Sequence, residues 1–244
     1  TIEKSLSFSI SESITSSSDQ EEIKEKLNEK YQAHIKDLEN KMFKQIRALF
    51  KHHLFEYHLP EYSILKHDLF SKKTWEILGL TKEQLAVAGA VIGGTMGAVI
   101  DTAFAGHTLG VFTVLGGVLG AGSALFGGKK ITQKKRAGIW FGGDKLKLGP
   151  NKNLQFLYIL IDRALIYYSH IINRPHGKRD LSSRSLDTDT KKKGYSTGFT
   201  ASQRDVCANF FKAVTGRSFI KEQKAMLKFE ELIESVLNDI SEKV

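Results

Sequence analysis

The sequence predicts a mainly α-helical protein with a glycine-rich, apolar, transmembrane-type helical hairpin and one small β-hairpin. Three observations predict it. Apolar residues recur at helical spacing, capping residues precede the apolar runs, and residues 85–128 contain no Lys or Arg. We divide the chain into a Ser-rich linker (1–20), a helical region (21–84), the apolar hairpin (85–128), and a β-hairpin plus helical domain (129–244).

The first half of the chain is predicted to hold one long helix and two shorter ones. The linker contains a short edge strand near Ile10, and a long amphipathic helix follows from Asp19 to about His58. Its apolar stripe either packs on its own domain or pairs with a second copy. A short helix capped by Ser71 ends at Gly79, and a capping box formed by Thr81 and Gln84 starts the next helix at Lys82.

The second half is predicted to contain a β-hairpin and three helices. Their bounds are 139–149 with a turn at Gly142, Gly143 and Asp144, then 153–172, 202–215 and 219–240. Asp162 and Arg163 make 153–172 a core helix, because two central charges would cost roughly 5–7 kcal/mol in lipid and adjacent residues do not face each other. The polar stretch 173–203 is too poor in apolar residues to pack and is predicted to be a flexible loop.

The apolar stretch has the dimensions of a membrane hairpin. A bend near Ala105 to Thr108 leaves two arms of about 20 residues, each roughly 30 Å long as a helix, which matches the hydrocarbon core of a bilayer. Glycines four residues apart are expected to form the close-packing face of the two arms. These are Gly89, Gly93 and Gly97 on the first arm and Gly116 and Gly120 on the second.

Charge and cysteine content indicate the kind of partner and the kind of compartment that suit the protein. The net charge of +9 favours an anionic partner, and the single Cys207 excludes an internal disulfide and suits a reducing compartment. Basic residues flank the hairpin on both sides, which places both ends in the cytoplasm. The cluster after it is predicted to face lipid: Lys129, Lys130, Lys134, Lys135 and Arg136. Asp101, near the bend, is the one residue that fits lipid poorly, and a Gly-rich hairpin buried in an assembly stays an alternative.

Several functions are not favoured by the motifs. The run from Gly117 to Arg136 resembles a P-loop, but no frame supplies both glycines, the Lys and the hydroxyl that magnesium needs. The histidines of KHHLFEYH lack metal-ligand spacing, and no recognisable nucleic-acid module accompanies the basic residues. We therefore predict no catalytic, cofactor or metal residues in this chain. Because the chain begins at Thr1 and not Met, we expect it to be part of a longer protein.

Three blocks in order resemble a family of bacterial GTP-binding proteins, in which a small GTPase domain precedes a domain of unknown function with such a hairpin. They are HDLFSKKTWEILGLTKEQLAVAGAVIGG, GGKK and KLKLGPNKNLQFLYILIDRALIYYSHIINRPHGKRD, within 37–180. The resemblance implies a domain that anchors, and regulates or oligomerises, a GTPase at the cytoplasmic face of the bacterial inner membrane. It also implies that GTP and Mg²⁺ bind upstream, since this chain has no P-loop, D-x-x-G or N-K-x-D.

The partners expected on this interpretation are anionic membrane lipid, the GTPase domain in cis, and a second copy or a membrane partner protein. Nucleic acid is not among them. Two other classes of function stay open: a colicin-like pore-forming domain and a soluble helical oligomerisation module.

Overall fold

The computed structural model describes residues 1–13, 20–50, 59–60, 63–93, 135–136, 139–140, 145–173, 194–216 and 219–242. This part of the chain is mainly helical, as predicted. Its helices are α1 (Ile2–Ser7), α2 (Gln20–Leu49), α3 (Lys72–Ile77), α4 (Lys82–Gly93), α5 (Leu154–Ile172), α6 (Ala201–Thr215) and α7 (Phe219–Ser241). Two 3-10 helices, Ile64–Lys66 and Tyr195–Gly198, and strands β1 (Ile10–Ser13), β2 (Lys135–Arg136), β3 (Ile139–Trp140) and β4 (Lys145–Leu148) complete it.

Helix α5 is the centre of the fold. It is buried along most of its length, and it contacts α1, α2, α4, α6 and α7. Its apolar residues join one core with residues from every neighbouring helix, including Leu6, Tyr31, Leu85 and Phe210. The core-helix prediction for 153–172 is therefore confirmed. A helix that is apolar on nearly all sides is stable in water only when other elements cover it, as they do here.

The helix starts follow the capping chemistry of the sequence. The Ser71 hydroxyl accepts the Thr74 backbone N–H, and Thr81 and Gln84 exchange both hydrogen bonds of a capping box. A second capping box joins Thr200 and Gln203 at the start of α6. These bonds satisfy backbone donors that a helix start leaves unpaired, which explains why the predicted boundaries hold.

The strands pair differently from the predicted hairpin. Strand β4 is antiparallel to β1, with Ile10 opposite Leu148, and β3 is antiparallel to β2. The predicted turn residues 142–144 lie outside the described residues. Alternation and turn residues locate strands but carry no information about a partner far away in the chain. The segment predicted as a linker supplies both α1 and β1.

The predicted loop 173–203 also differs in its last third. Residues 174–193 lie outside the described part, but Tyr195–Gly198 form a 3-10 helix in which Ser196 is fully buried, and Phe199 is buried beside it. The sparse apolar content of the stretch concealed this, because most of what holds Ser196 in place is polar.

The prediction of a transmembrane hairpin is contradicted. Helix α4 is described from Lys82 to Gly93, and among the described residues no helix is both long enough and apolar enough to cross a bilayer. The rest of the predicted hairpin, residues 94–128, lies outside the described residues. The apolar character of 85–93 instead serves the fold in part, because Leu85 and Ala88 are buried in the core.

Candidate functional site

Three polar side chains on α5 are buried inside the apolar core. They are Gln155, Asp162 and Arg163, each at most 3% exposed. Burying a polar or charged group costs free energy unless hydrogen bonds compensate, so such groups mark places where the fold needs a specific contact. Their partners define the candidate site.

The Asp162 carboxylate connects two distant parts of the chain. Its Oδ2 accepts the backbone N–H of Gly79 at 2.7 Å, and its Oδ1 accepts the backbone N–H of Ser196 at 2.7 Å. The Ser196 hydroxyl donates to Oδ2 at 2.9 Å. Hydrogen bonds to an ionised acceptor are shorter and stronger than neutral ones. One carboxylate thus holds the backbone before α4 and the 3-10 helix that precedes α6.

Gln155, two turns earlier on α5, also binds the backbone that precedes α4. Its Oε1 accepts the Leu80 N–H at 3.1 Å, and its Nε2 donates to the carbonyls of Leu80 at 3.1 Å and Leu78 at 3.4 Å. Residues seven apart lie on the same face of a helix. The α5 face that carries Gln155 and Asp162 therefore fixes the backbone of residues 78–80.

Two glycines make room for these contacts. Gly79 has φ +81°, and a Cβ there would lie 2.5 Å from Gln155 Nε2. A Cβ on Gly194 would overlap the Asp162 carboxylate. Gly79 is also tied to the second segment through the first turn of α4, where Gln84 Nε2 donates to the Thr197 carbonyl at 2.9 Å. We call residues 78–84 the α4 junction and residues 194–198 the 194–198 turn.

Arg163, the neighbour of Asp162, turns to the other side of α5. Its guanidinium forms a two-pronged ion pair with Glu39 of α2, at 2.6 and 2.8 Å, and donates to the His67 carbonyl at 3.0 Å. Both side chains of the pair are nearly inaccessible to water. The prediction that Asp162 and Arg163 do not pair with each other agrees with these separate partners.

The one cysteine lies near the Asp162 side of α5. Burial raises the pKa of the Cys207 thiol to about 12, a hydrogen bond with Tyr158 lowers it, and the negative charge of Asp162 adds to the rise. Burial also raises the pKa of Tyr158, whose hydroxyl donates to the Arg204 carbonyl at 3.3 Å. Cys207 is a free, fully buried cysteine, and a thiol held neutral in this way is unreactive.

A surface pocket of about 390 Å³ lies against the 194–198 turn. Tyr195 and Gly198 form part of its wall, and the ends of α5 and α7 and the start of α6 form the rest. Phe199, Val236 and Ile240 give it an apolar floor, while Asp239 is its ionisable acid. Ser196, which lies between two pocket residues in the same turn, bonds Asp162 on the inner side.

The chain matches the family described as a domain of unknown function, DUF3482, over residues 2–236. It belongs to this family. No curated protein and no solved structure matches the chain. The predicted resemblance is confirmed to this extent, and the match adds nothing on a GTPase or on the hairpin.

In this DUF3482 domain the predicted packing glycines are only partly described. Gly89 is buried in α4, a helix that packs against α6, and Gly93 is the last described residue of α4. Gly97, Gly116 and Gly120 lie outside the described residues. Gly89 therefore serves packing within the domain, and its predicted role against a second arm stays a prediction.

The predicted basic cluster lies only partly within the described residues. Lys135 and Arg136 form strand β2, and Lys129, Lys130 and Lys134 lie outside the described residues. Their contact with lipid stays a prediction, as does the location at the inner membrane. Within the described ranges no group of His, Cys, Asp and Glu is arranged to hold a metal ion.

The outer face of α4 is apolar and open to solvent. Ala86, Val87 and Ala90 are exposed there, and Val87 keeps 58% of its surface accessible. From Leu85 to Gly93 the helix has no charged side chain. The opposite face, with Leu85 and Ala88, is anchored in the core. Sequence reasoning treated this helix as one arm of a hairpin and missed that its two faces have different roles.

Proposed function

We propose that the chain is a non-catalytic regulatory and oligomerisation domain of a bacterial GTP-binding protein, and that it associates through the outer face of α4 with a second copy of itself. The observation that carries the proposal is the exposed apolar α4 face of Ala86, Val87 and Ala90, on a helix whose start is hydrogen-bonded to α5. Exposed apolar surface marks interaction sites, and homodimer interfaces are more apolar than the average protein surface.

A second copy is the occupant that fits the chemistry of this face. A two-fold contact brings the same patch of both subunits together, so a patch without charge meets no unpaired charge in its partner. Small side chains at Ala86 and Ala90 allow two helices to approach closely. A charged or strongly polar partner would gain nothing from residues 85–93.

The test uses two exposed apolar residues of similar accessibility. Val87 on α4 is 58% exposed and Leu227 on α7 is 61% exposed. Val87→Asp should shift the chain toward monomer in sedimentation equilibrium, and Leu227→Asp should leave the self-association constant within about twofold of the wild type. A monomeric wild-type chain, or an equal shift by both variants, contradicts self-association through α4.

The GTPase part of the proposal is supported by the resemblance of the sequence blocks and is tested separately. In calorimetry this chain should show no saturable binding of GTP or ATP, whereas the full natural gene product should bind GTP. Micromolar GTP binding by this chain contradicts its non-catalytic assignment. Failure of the full product to bind GTP removes the GTPase linkage and leaves self-association to stand on its own test.

A further inference from the structure

We propose that Asp162 couples the α4 junction (78–84) to the 194–198 turn, so that the two segments open and close as one cooperative unit. They are far apart in sequence, yet both donate backbone N–H groups to the same carboxylate at 2.7 Å. This coupling does not depend on the proposed function.

The coupling follows from the burial of the carboxylate. Asp162 is 0% exposed, so each donor that it accepts compensates part of the cost of a buried charge. If the 194–198 turn moves away, two of the described donors leave and water enters beside the carboxylate. The Gly79 bond then loses the low-dielectric surroundings that make it strong, and the α4 junction becomes easier to open.

The steric fit reinforces the coupling from both sides. A Cβ at Gly194 would overlap the Asp162 carboxylate, and a Cβ at Gly79 would press on Gln155, so both segments pack their backbone directly against side chains of α5. Gln84 adds a direct bond to the Thr197 carbonyl at 2.9 Å. The two segments thus have a buried connection through Asp162 and a second, more exposed one through Gln84.

The coupled unit joins two parts of the molecular surface. The α4 junction starts the helix with the open apolar face, and the 194–198 turn forms part of the wall of the 390 Å³ pocket. Any molecule that binds the pocket more tightly in one state of the turn would shift the α4 junction by the same free energy, and the reverse also holds. Binding of a molecule in the pocket is therefore expected to shift the equilibrium between the open and closed states of the α4 junction.

Two glycines in one turn provide the test. Gly194→Ala introduces a methyl group that collides with the Asp162 carboxylate, whereas a Cβ at Gly198 meets nothing within 4 Å. Both variants of the full chain are compared with the wild type by amide hydrogen exchange measured residue by residue in NMR. The readouts are the Ser196 amide, the Gly79 amide, and reference amides of α7 at Phe229 and Val236.

Gly194→Ala should accelerate exchange at Ser196 and at Gly79 by about tenfold or more relative to the α7 amides. Gly198→Ala should change both by less than about twofold. Faster exchange at Ser196 with unchanged exchange at Gly79 overturns the coupling. An equal acceleration at all four amides also overturns it, because it reports general destabilisation and not a separate unit.

Two further variants replace Gly194→Ala if it does not fold and separate the Asp162 connection from the Gln84 connection. If Gly194→Ala does not fold, Ser196→Ala removes only the hydroxyl donor of Asp162, with Gly198→Ala as its control in the same turn. Gln84→Glu removes the Nε2 donor of the second connection and keeps the oxygen that accepts the Thr81 N–H in the capping box. The effect of Gly194→Ala on Gly79 should persist in the Gln84→Glu background, and its disappearance there would assign the coupling to Gln84 instead of Asp162.

Discussion

Asp162 and Arg163 are adjacent on α5, yet they bind different kinds of partner. Arg163 joins α5 to another regular helix through a charged partner, Glu39 of α2. Asp162 joins α5 to irregular backbone through N–H and hydroxyl donors of Gly79 and Ser196. Adjacent residues on a helix point about 100° apart, so one pair of sequence neighbours can serve two sides of a core. One side fixes helix packing, and the other fixes how connecting segments leave the core.

The largest effect is expected on the Arg163 side. Glu39→Ala leaves a buried guanidinium without its carboxylate, and removal of one partner of a buried ion pair costs about 3–5 kcal/mol of unfolding free energy. Urea denaturation followed by circular dichroism measures it. Asp37→Asn is the control, because its exposed ion pair with Lys41 on the same helix should leave the midpoint almost unchanged. Equal midpoints for the two variants would contradict the assignment.

A smaller loss is expected on the Asp162 side. Asp162→Asn keeps one acceptor oxygen but turns an amide N–H₂ toward backbone N–H donors, so we expect a loss of about 1.5–3 kcal/mol. The same urea measurement applies, with the exposed Asp205→Asn of α6 as the control. If Asp162→Asn were as stable as the wild type, the charge of the carboxylate would be irrelevant to the fold.

The helix starts and the core position of α5 could be predicted from the sequence, whereas the partners of Asp162 could not. Capping boxes and apolar periodicity are local, and they located the starts of α3, α4 and α6 within a few residues. They also showed that a helix with two central charges belongs in a protein core. The partners of Asp162 are 83 and 34 residues away and bind mostly through backbone groups, which every residue possesses. No pattern of side chains in the sequence predicts such a contact. The pairing of β4 with β1 could not be predicted for the same reason.

A third variant examines the backbone of the α4 junction directly. Gly79→Ala should cost about 1–2 kcal/mol, because an L-residue is strained at φ +81° and its methyl group would crowd Gln155 Nε2. Gly198→Ala is the matched control, since its Cβ meets open space. Thermal unfolding of both variants measures the difference. A Gly79→Ala variant as stable as Gly198→Ala would mean that the junction adapts and that its contacts with α5 are loose.

The smallest effect concerns Cys207, on the Asp162 side of the core. Its folded pKa of about 12 lies above the ordinary value of 9.0, so the folded state retains a proton that the unfolded chain loses. The resulting stability is complete below pH 9 and is lost as the pH rises from 9 toward 12, with a slope of up to about 1.4 kcal/mol per pH unit.

Urea unfolding at pH 8 and pH 10 isolates this contribution when the wild type is compared with Cys207→Ala. Burial is the largest cause of the raised pKa values of Tyr31 and Tyr158, and it acts in both proteins, so the difference between their pH dependences reports mainly on the thiol. The wild type should lose about 1.4 kcal/mol more than the variant over this interval. An equal loss would show that the thiol reaches water in the folded state.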